Sequence, residues 1–187
     1  MTSYSAEELM HIIERVFVTK ESTLEAEASG RSVEDLKQTT LVVRRMLRSV
    51  AIALPDSAYE EQPDDIDGND VWSAGEIISH IAGATVRTSS MINEILDRDE
   101  IPPGDEITEI TDVRVRGKVE ALEALGAADR ELVRILDSIP ADVDTSLTID
   151  HDLIGTVGVK GWLLFTAIHE GDHANQLREL DRSGANA

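Results

Sequence analysis

The chain has 187 residues, 41% of them hydrophobic, which suits one core of ordinary size. Its 37 acidic residues against 17 basic ones give a formal net charge of -20, which repels phosphate backbones and speaks against direct nucleic-acid binding. With no cysteine, the chain excludes disulfides, thiolate metal ligands and a protein-borne thiol nucleophile, so any thiol chemistry must use an outside thiol.

The opening stretch MTSYSAEELM lacks a basic segment followed by an apolar one, and no run of 18 apolar residues occurs, so a cytoplasmic protein without a membrane segment is expected. Ser5 with Glu8 forms a capping box that starts a helix over residues 6–28, with Leu9, Ile13, Val16, Phe17 and Leu24 inward and His11 on the outer side. ASGR ends it. Residues 33–54 carry Leu36, Thr40, Val43, Leu47, Val50 and Leu54 at alternating spacings of four and three, the seam of a bundle helix, and Pro55 stops it. The segment DSAYEEQPDDIDGND is acidic throughout and is expected to be a solvated loop.

Ser73 with Glu76 is a second capping box, and the helix it opens runs through Ile77, Ile81, Ala84, Met91 and Ile95 to about Leu96. RDEIPPGDE breaks the chain again. Residues 113–139 resume helical spacing with Val115, Val119, Leu122, Leu125, Leu132, Ile135 and Ile139 inward, slip in phase near Gly126, and stop at Pro140. TSLTIDHDLIGTVGVKG alternates weakly and contains three glycines, as a connection with a short hairpin would. A last helix spans about Val159 to Asp181. No repeat is present, and so many helical seams predict an all-α protein, an up-down-up-down four-helix bundle with an extra N-terminal helix.

On the last helix Trp162, Phe165, His169, His173, Gln176 and Leu180 fall at spacings of three and four, forming one inward stripe. Glu170 lies about 100° round from His169 and points elsewhere, whereas Asp172 and Asn175 stand at the stripe's edges. His80, three residues after Ile77, lies near the inward side of its own helix. Buried imidazoles need partners, and three converging ones are most simply satisfied by a metal ion. The plainer alternative is a half-exposed histidine pair on one helix and a carbonyl-bonded core histidine on the other. Read as letters, HEGDH at 169–173 is also the H-E-x-x-H of zinc peptidases, with Glu170 as base. That class takes its third ligand from a separate downstream element, whereas the chain beyond His173 offers Glu179 and Asp181 on the same helix. His151, flanked by aspartates, is expected to be solvated rather than a fourth ligand, and Trp72 and Trp162 to pack as core rather than wall a pocket.

WSAGEIISHIA at 72–82 together with GWLLFTAIHEGDHANQL at 161–177 resembles the DinB-like superfamily of metal-binding four-helix bundles. Members show Trp-Ser at the start of the second bundle helix, a histidine about eight residues later, and H-x-x-x-H followed by Gln-Leu on the last helix. The resemblance implies that His80, His169 and His173 are metal ligands and that residues 31–187 form the bundle domain, with residues 1–30 an added helix outside it. It also implies a small-molecule substrate. Members with an assigned activity are metal-dependent transferases or isomerases that use low-molecular-weight thiols such as mycothiol or bacillithiol, and others are described as hydrolases. Three histidines leave a tetrahedral ion with an open position, as catalytic sites require. The divalent ion is expected to be zinc or nickel, although neutral imidazole sites also suit iron, copper and manganese. Three readings stand at this point: a metal-dependent thiol transferase, a hydrolase at the same site, and a non-enzymatic metal- or ligand-binding bundle. A homodimer is expected, because the N-terminal helix has an apolar side that a four-helix core need not cover.

Overall fold

The computed structural model describes residues 4–60, 71–97, 117–152 and 154–184. The chain is an all-α bundle with one small hairpin: α1 Ala6–Ile13, α2 Leu24–Ala28, α3 Val33–Ala53, α4 Ala74–Ile95, α5 Lys118–Ser138, β1 Thr148–His151, β2 Gly155–Gly158 and α6 Val159–Gly184. Among the long helices α3 packs chiefly on α6, α4 chiefly on α5, and α4 also on α6. No described helix is long and apolar enough to cross a membrane.

Capping chemistry sets the helix starts where the sequence predicts them. Ser73 Oγ accepts from the Glu76 amide at 3.2 Å while the Glu76 carboxylate accepts from the Ser73 amide at 2.9 Å, and Ser5 and Glu8 make the same reciprocal pair. The first predicted helix, however, is not continuous over 6–28. After α1 the chain passes through one π turn at Glu14–Val18, turns at Lys20 with φ 56°, and restarts as α2 with Thr23 as N-cap. Val16, Phe17, Val18 and Thr19 crowd the preceding turn, and the Thr23 hydroxyl offers the backbone a fresh start, so the local preferences favour two short helices over one long one.

The α3 seam is buried at Leu36, Thr40, Val43, Leu47 and Leu54, with Val50 half-buried. On α5 the expected inward Val119 is 74% exposed. The helix begins only at Lys118, after Gly117 with φ 87°, so Val119 sits in the first turn and the buried face starts at Ala121. Residues 113–116 and the breaker 98–106 lie outside the described residues. So do residues 61–70 of the acidic segment. Its beginning is not a solvated loop, because Asp56–Tyr59 forms a 3-10 turn with Ala58 and Tyr59 buried and the Tyr59 hydroxyl donating to the Ala51 carbonyl at 2.6 Å. β1 and β2 pair antiparallel, with His151 opposite Gly155, and lead directly into α6.

The N-terminal segment packs on the bundle core. Leu9, Ile12, Leu24 and Ala28 are buried in the same core cluster as Leu36, Trp162 and Leu164, with Ile13, Val16 and Phe17 half-buried against it. Arg15 holds both carboxylate oxygens of Glu27, at 2.8 and 2.6 Å. Glu25 Oε2 accepts from the amides of Gly158 and Gly161 at 2.9 and 3.0 Å, placing a carboxylate on donors that the start of α6 leaves free. A Cβ at Gly161 would collide with that carboxylate.

Buried apolar residues fall into two large clusters, one built on Leu36, Val43, Ile92, Leu132 and Trp162, the other on Leu47, Ile77, Ile81, Leu125 and Leu177. Between them, halfway along every long helix, lies a polar layer: Arg44 on α3, Thr85 on α4, Asp129 on α5, and Glu170 with its neighbouring histidines on α6.

Candidate metal site and adjoining pocket

Helical spacing brings the three histidines together. His169 and His173, one turn apart on α6, face His80 on α4, and their ligand atoms lie within 4.8 Å of one another. His169 Nε2 is the hub, 3.0 Å from His80 Nε2 and 3.2 Å from His173 Nε2. A neutral imidazole offers one donor and one acceptor, so three ring nitrogens facing each other cannot each be satisfied by the other two.

The state of one ring is fixed by what lies behind it. Gln176 Nε2 donates to Asp172 Oδ2 at 2.9 Å, which turns its amide oxygen toward His173 Nδ1 at 3.0 Å. A carboxylate only accepts, so Nδ1 of His173 carries a proton, and in the neutral ring this tautomer leaves the Nε2 lone pair facing the cluster. The other two rings are made less basic by their surroundings. Burial, followed by the neighbouring His173 and His80 and the cations Arg44 and Arg87, pushes the His169 pKa down to about 3. Burial, with His173 and Arg87, lowers that of His80 as well.

Glu170, between the two α6 histidines, belongs to a different network. It is 2% exposed, and its two oxygens accept from Arg44 Nε at 2.9 Å and Nη2 at 2.6 Å. Arg44 also donates to Thr85 at 2.8 Å and to Asp129 at 3.3 Å, and Arg48 donates to Asp129 at 2.7 Å. Burial works against the Arg44 charge, but Glu170 and Asp129 outweigh it and hold the guanidinium above its ordinary pKa. A carboxylate with both oxygens committed in this way is not poised as a peptidase base.

The remaining candidates divide. Trp162 is 2% exposed, in the core as expected, but it also lines a hollow, and its indole N–H is buried with no acceptor among the described residues. Trp72 is not core: it is 40% exposed and lies against the histidines, its ring centroid 5.3 Å from His80 and 6.4 Å from His173, nearly parallel to the latter. His151 is not a solvated loop residue, since it sits half-buried on β1 with its ring 5.7 Å from Trp162. Asn175 is exposed and accepts from Arg178. Two hollows flank the cluster. One of about 360 Å³ is lined by His80, His169, Phe165, Trp162 and His151, and one of about 460 Å³ by Trp72, His173, Gln176 and Glu179.

Residues 40–177, most of the chain, match the family model of the DinB superfamily. The chain belongs to the DinB superfamily. That match takes in all three histidines and leaves the N-terminal segment and the first turns of α3 outside. No curated protein and no solved structure matches the chain. A three-histidine cluster of the kind that can hold a metal ion, in a DinB-superfamily bundle, is compatible with a metal-binding protein.

Two features of the site are not announced by the sequence. Arg44 stands in an arginine pair that resembles a surface patch, and nothing in its spacing points to a partner on α6. The Asp172–Gln176–His173 relay is legible in part, because positions 172, 173 and 176 share one helix face, but the direction of the amide is not.

Proposed function

We propose that His80, His169 and His173 hold one divalent ion, zinc or nickel, and that the chain is a metal-dependent enzyme transferring or conjugating a low-molecular-weight thiol. The observation that carries this reading is the convergence of three Nε2 atoms whose separations of 3.0 and 3.2 Å suit ligands sharing one tetrahedral ion, for which bonds of about 2.0–2.1 Å place nitrogens ~3.3 Å apart. When bound, such an ion supplies the positive charge that keeps a small thiol anionic at neutral pH.

The chain's own residues set the conditions. The Asp172–Gln176 relay holds His173 in the tautomer that points a lone pair inward, and the low basicity of His169 keeps it from competing for a proton. Trp72 lies against the His80 and His173 rings, and Phe165, whose ring centroid is 5.8 Å from that of His169, gives the cluster an apolar neighbour on its other side, while His80 itself stays exposed. The chain contributes no cysteine, so the nucleophilic sulfur comes from the cosubstrate.

A hydrolase using the same three histidines is the second reading, favoured by the same open side of the cluster. Conjugation of an electrophile with mycothiol, bacillithiol or glutathione, scored for metal-loaded wild type, chelated protein and His173→Ala, separates the two. Thiol-dependent turnover in the first alone is expected; equal rates in all three remove the transferase, and ester turnover without thiol selects the hydrolase.

A further inference from the structure

The 360 Å³ hollow beside His80 and His169 extends away from them in a defined direction. Along α4 it reaches Arg87, seven residues or about 10 Å of helix from His80; along α6 it reaches Trp162, seven residues from His169. Its middle is opened by Gly83. A glycine inside a helix costs about 1 kcal/mol relative to alanine, and a Cβ there would meet nothing within 4 Å, so no close packing requires it. What the missing side chain leaves is space in the hollow, which Phe165 also lines.

The far end has an unusual charge for so acidic a chain. Arg15, Arg31, Arg44, Arg48 and Arg134 each hold a carboxylate. Arg87 holds none among the described residues, although it lines this hollow. The acid that shares the hollow, Glu170, has both oxygens on Arg44. Trp162, whose buried indole N–H lacks an acceptor, and His151 line the same end.

We infer that this hollow is a substrate pocket for an elongated electrophile carrying a carboxylate, with the apolar body along Gly83 and Phe165, the carboxylate on Arg87 and the reacting end at the three histidines. The inference rests on the metal reading above. Suberic acid monohydroxamate and the matching carboxamide test it, because the hydroxamate of each chelates the metal while only the first carries the distal charge. On metal-loaded wild type the acid should bind about three- to fivefold more tightly than the amide, the scale of an ion pair with an exposed arginine. Arg87→Met should remove that preference with metal content unchanged, and Arg45→Met, on an exposed face, should keep it. Gly83→Leu should weaken both long probes while acetohydroxamate binds as before. Equal binding of acid and amide by wild type, or a preference that survives Arg87→Met, overturns the carboxylate assignment and leaves the metal reading standing. If none of the three hydroxamates binds metal-loaded wild type, the metal reading falls and the inference with it.

Discussion

The polar layer of this bundle holds two clusters that interleave on α6 and behave as opposites. Around Arg44, every strong donor has an acceptor: Glu170 takes two bonds, Thr85 one, and Asp129 ties in Arg48. Around His169, three nitrogens face each other with too few protons and lone pairs in the right places to satisfy all of them. A closed network stabilises and positions, while an open one leaves room for a ligand. Residues 169, 170 and 173 therefore have separate roles, although as letters they read as one motif.

The widest separation between the clusters is expected in folding stability. Arg44→Ala strands a carboxylate at 2% exposure and should cost about 3–5 kcal/mol in urea unfolding, whereas the paired replacement of Arg44 and Glu170 by methionine should recover most of that loss. A small loss in the single variant would mean that the network is not closed. The histidine cluster should respond the other way. His169→Ala should lower metal affinity by more than about 100-fold, beyond the range for an outer partner, and leave the unfolding midpoint of metal-free protein little changed. Isothermal titration with zinc alongside urea unfolding checks both halves.

Behind the cluster, Gln176→Leu removes the acceptor that fixes the His173 tautomer and should weaken metal by about 10- to 100-fold, while Asn175→Ala, one position away and exposed, should leave it unchanged. Equal effects of the two would dissolve the relay. The gentlest difference lies in pH. His169 is held at about 3 in the fold against 6.5 unfolded, so below pH 6.5 the unfolded chain binds more protons than the folded one. Stability of the metal-free protein attributable to this residue is fully present above pH 6.5 and is lost as pH falls toward 3. His169→Asn should flatten that slope; an unaltered slope would assign it to other groups.

Much of this is legible in the sequence, for physical reasons that differ from place to place. Ser73 and Glu76 announce a helix start because the capping box is local chemistry, and His80, His169 and His173 can be brought together by helical phase and the resemblance they carry. Arg44 cannot, since its burial depends on Glu170, far away in sequence and on another helix. Val119 misleads because a helix's first turn carries the right spacing before the buried face begins. The break at residues 19–23 shows cap chemistry and β-branched crowding prevailing over a continuous apolar pattern.

The contrast between an open and a closed cluster rests most directly on metal stoichiometry, measured by elemental analysis on protein purified without a polyhistidine tag. About one divalent ion per chain is predicted in wild type and in the Arg44→Met, Glu170→Met pair, and none in His169→Ala. An ion retained by His169→Ala, or none bound by zinc-supplemented wild type, would contradict that contrast.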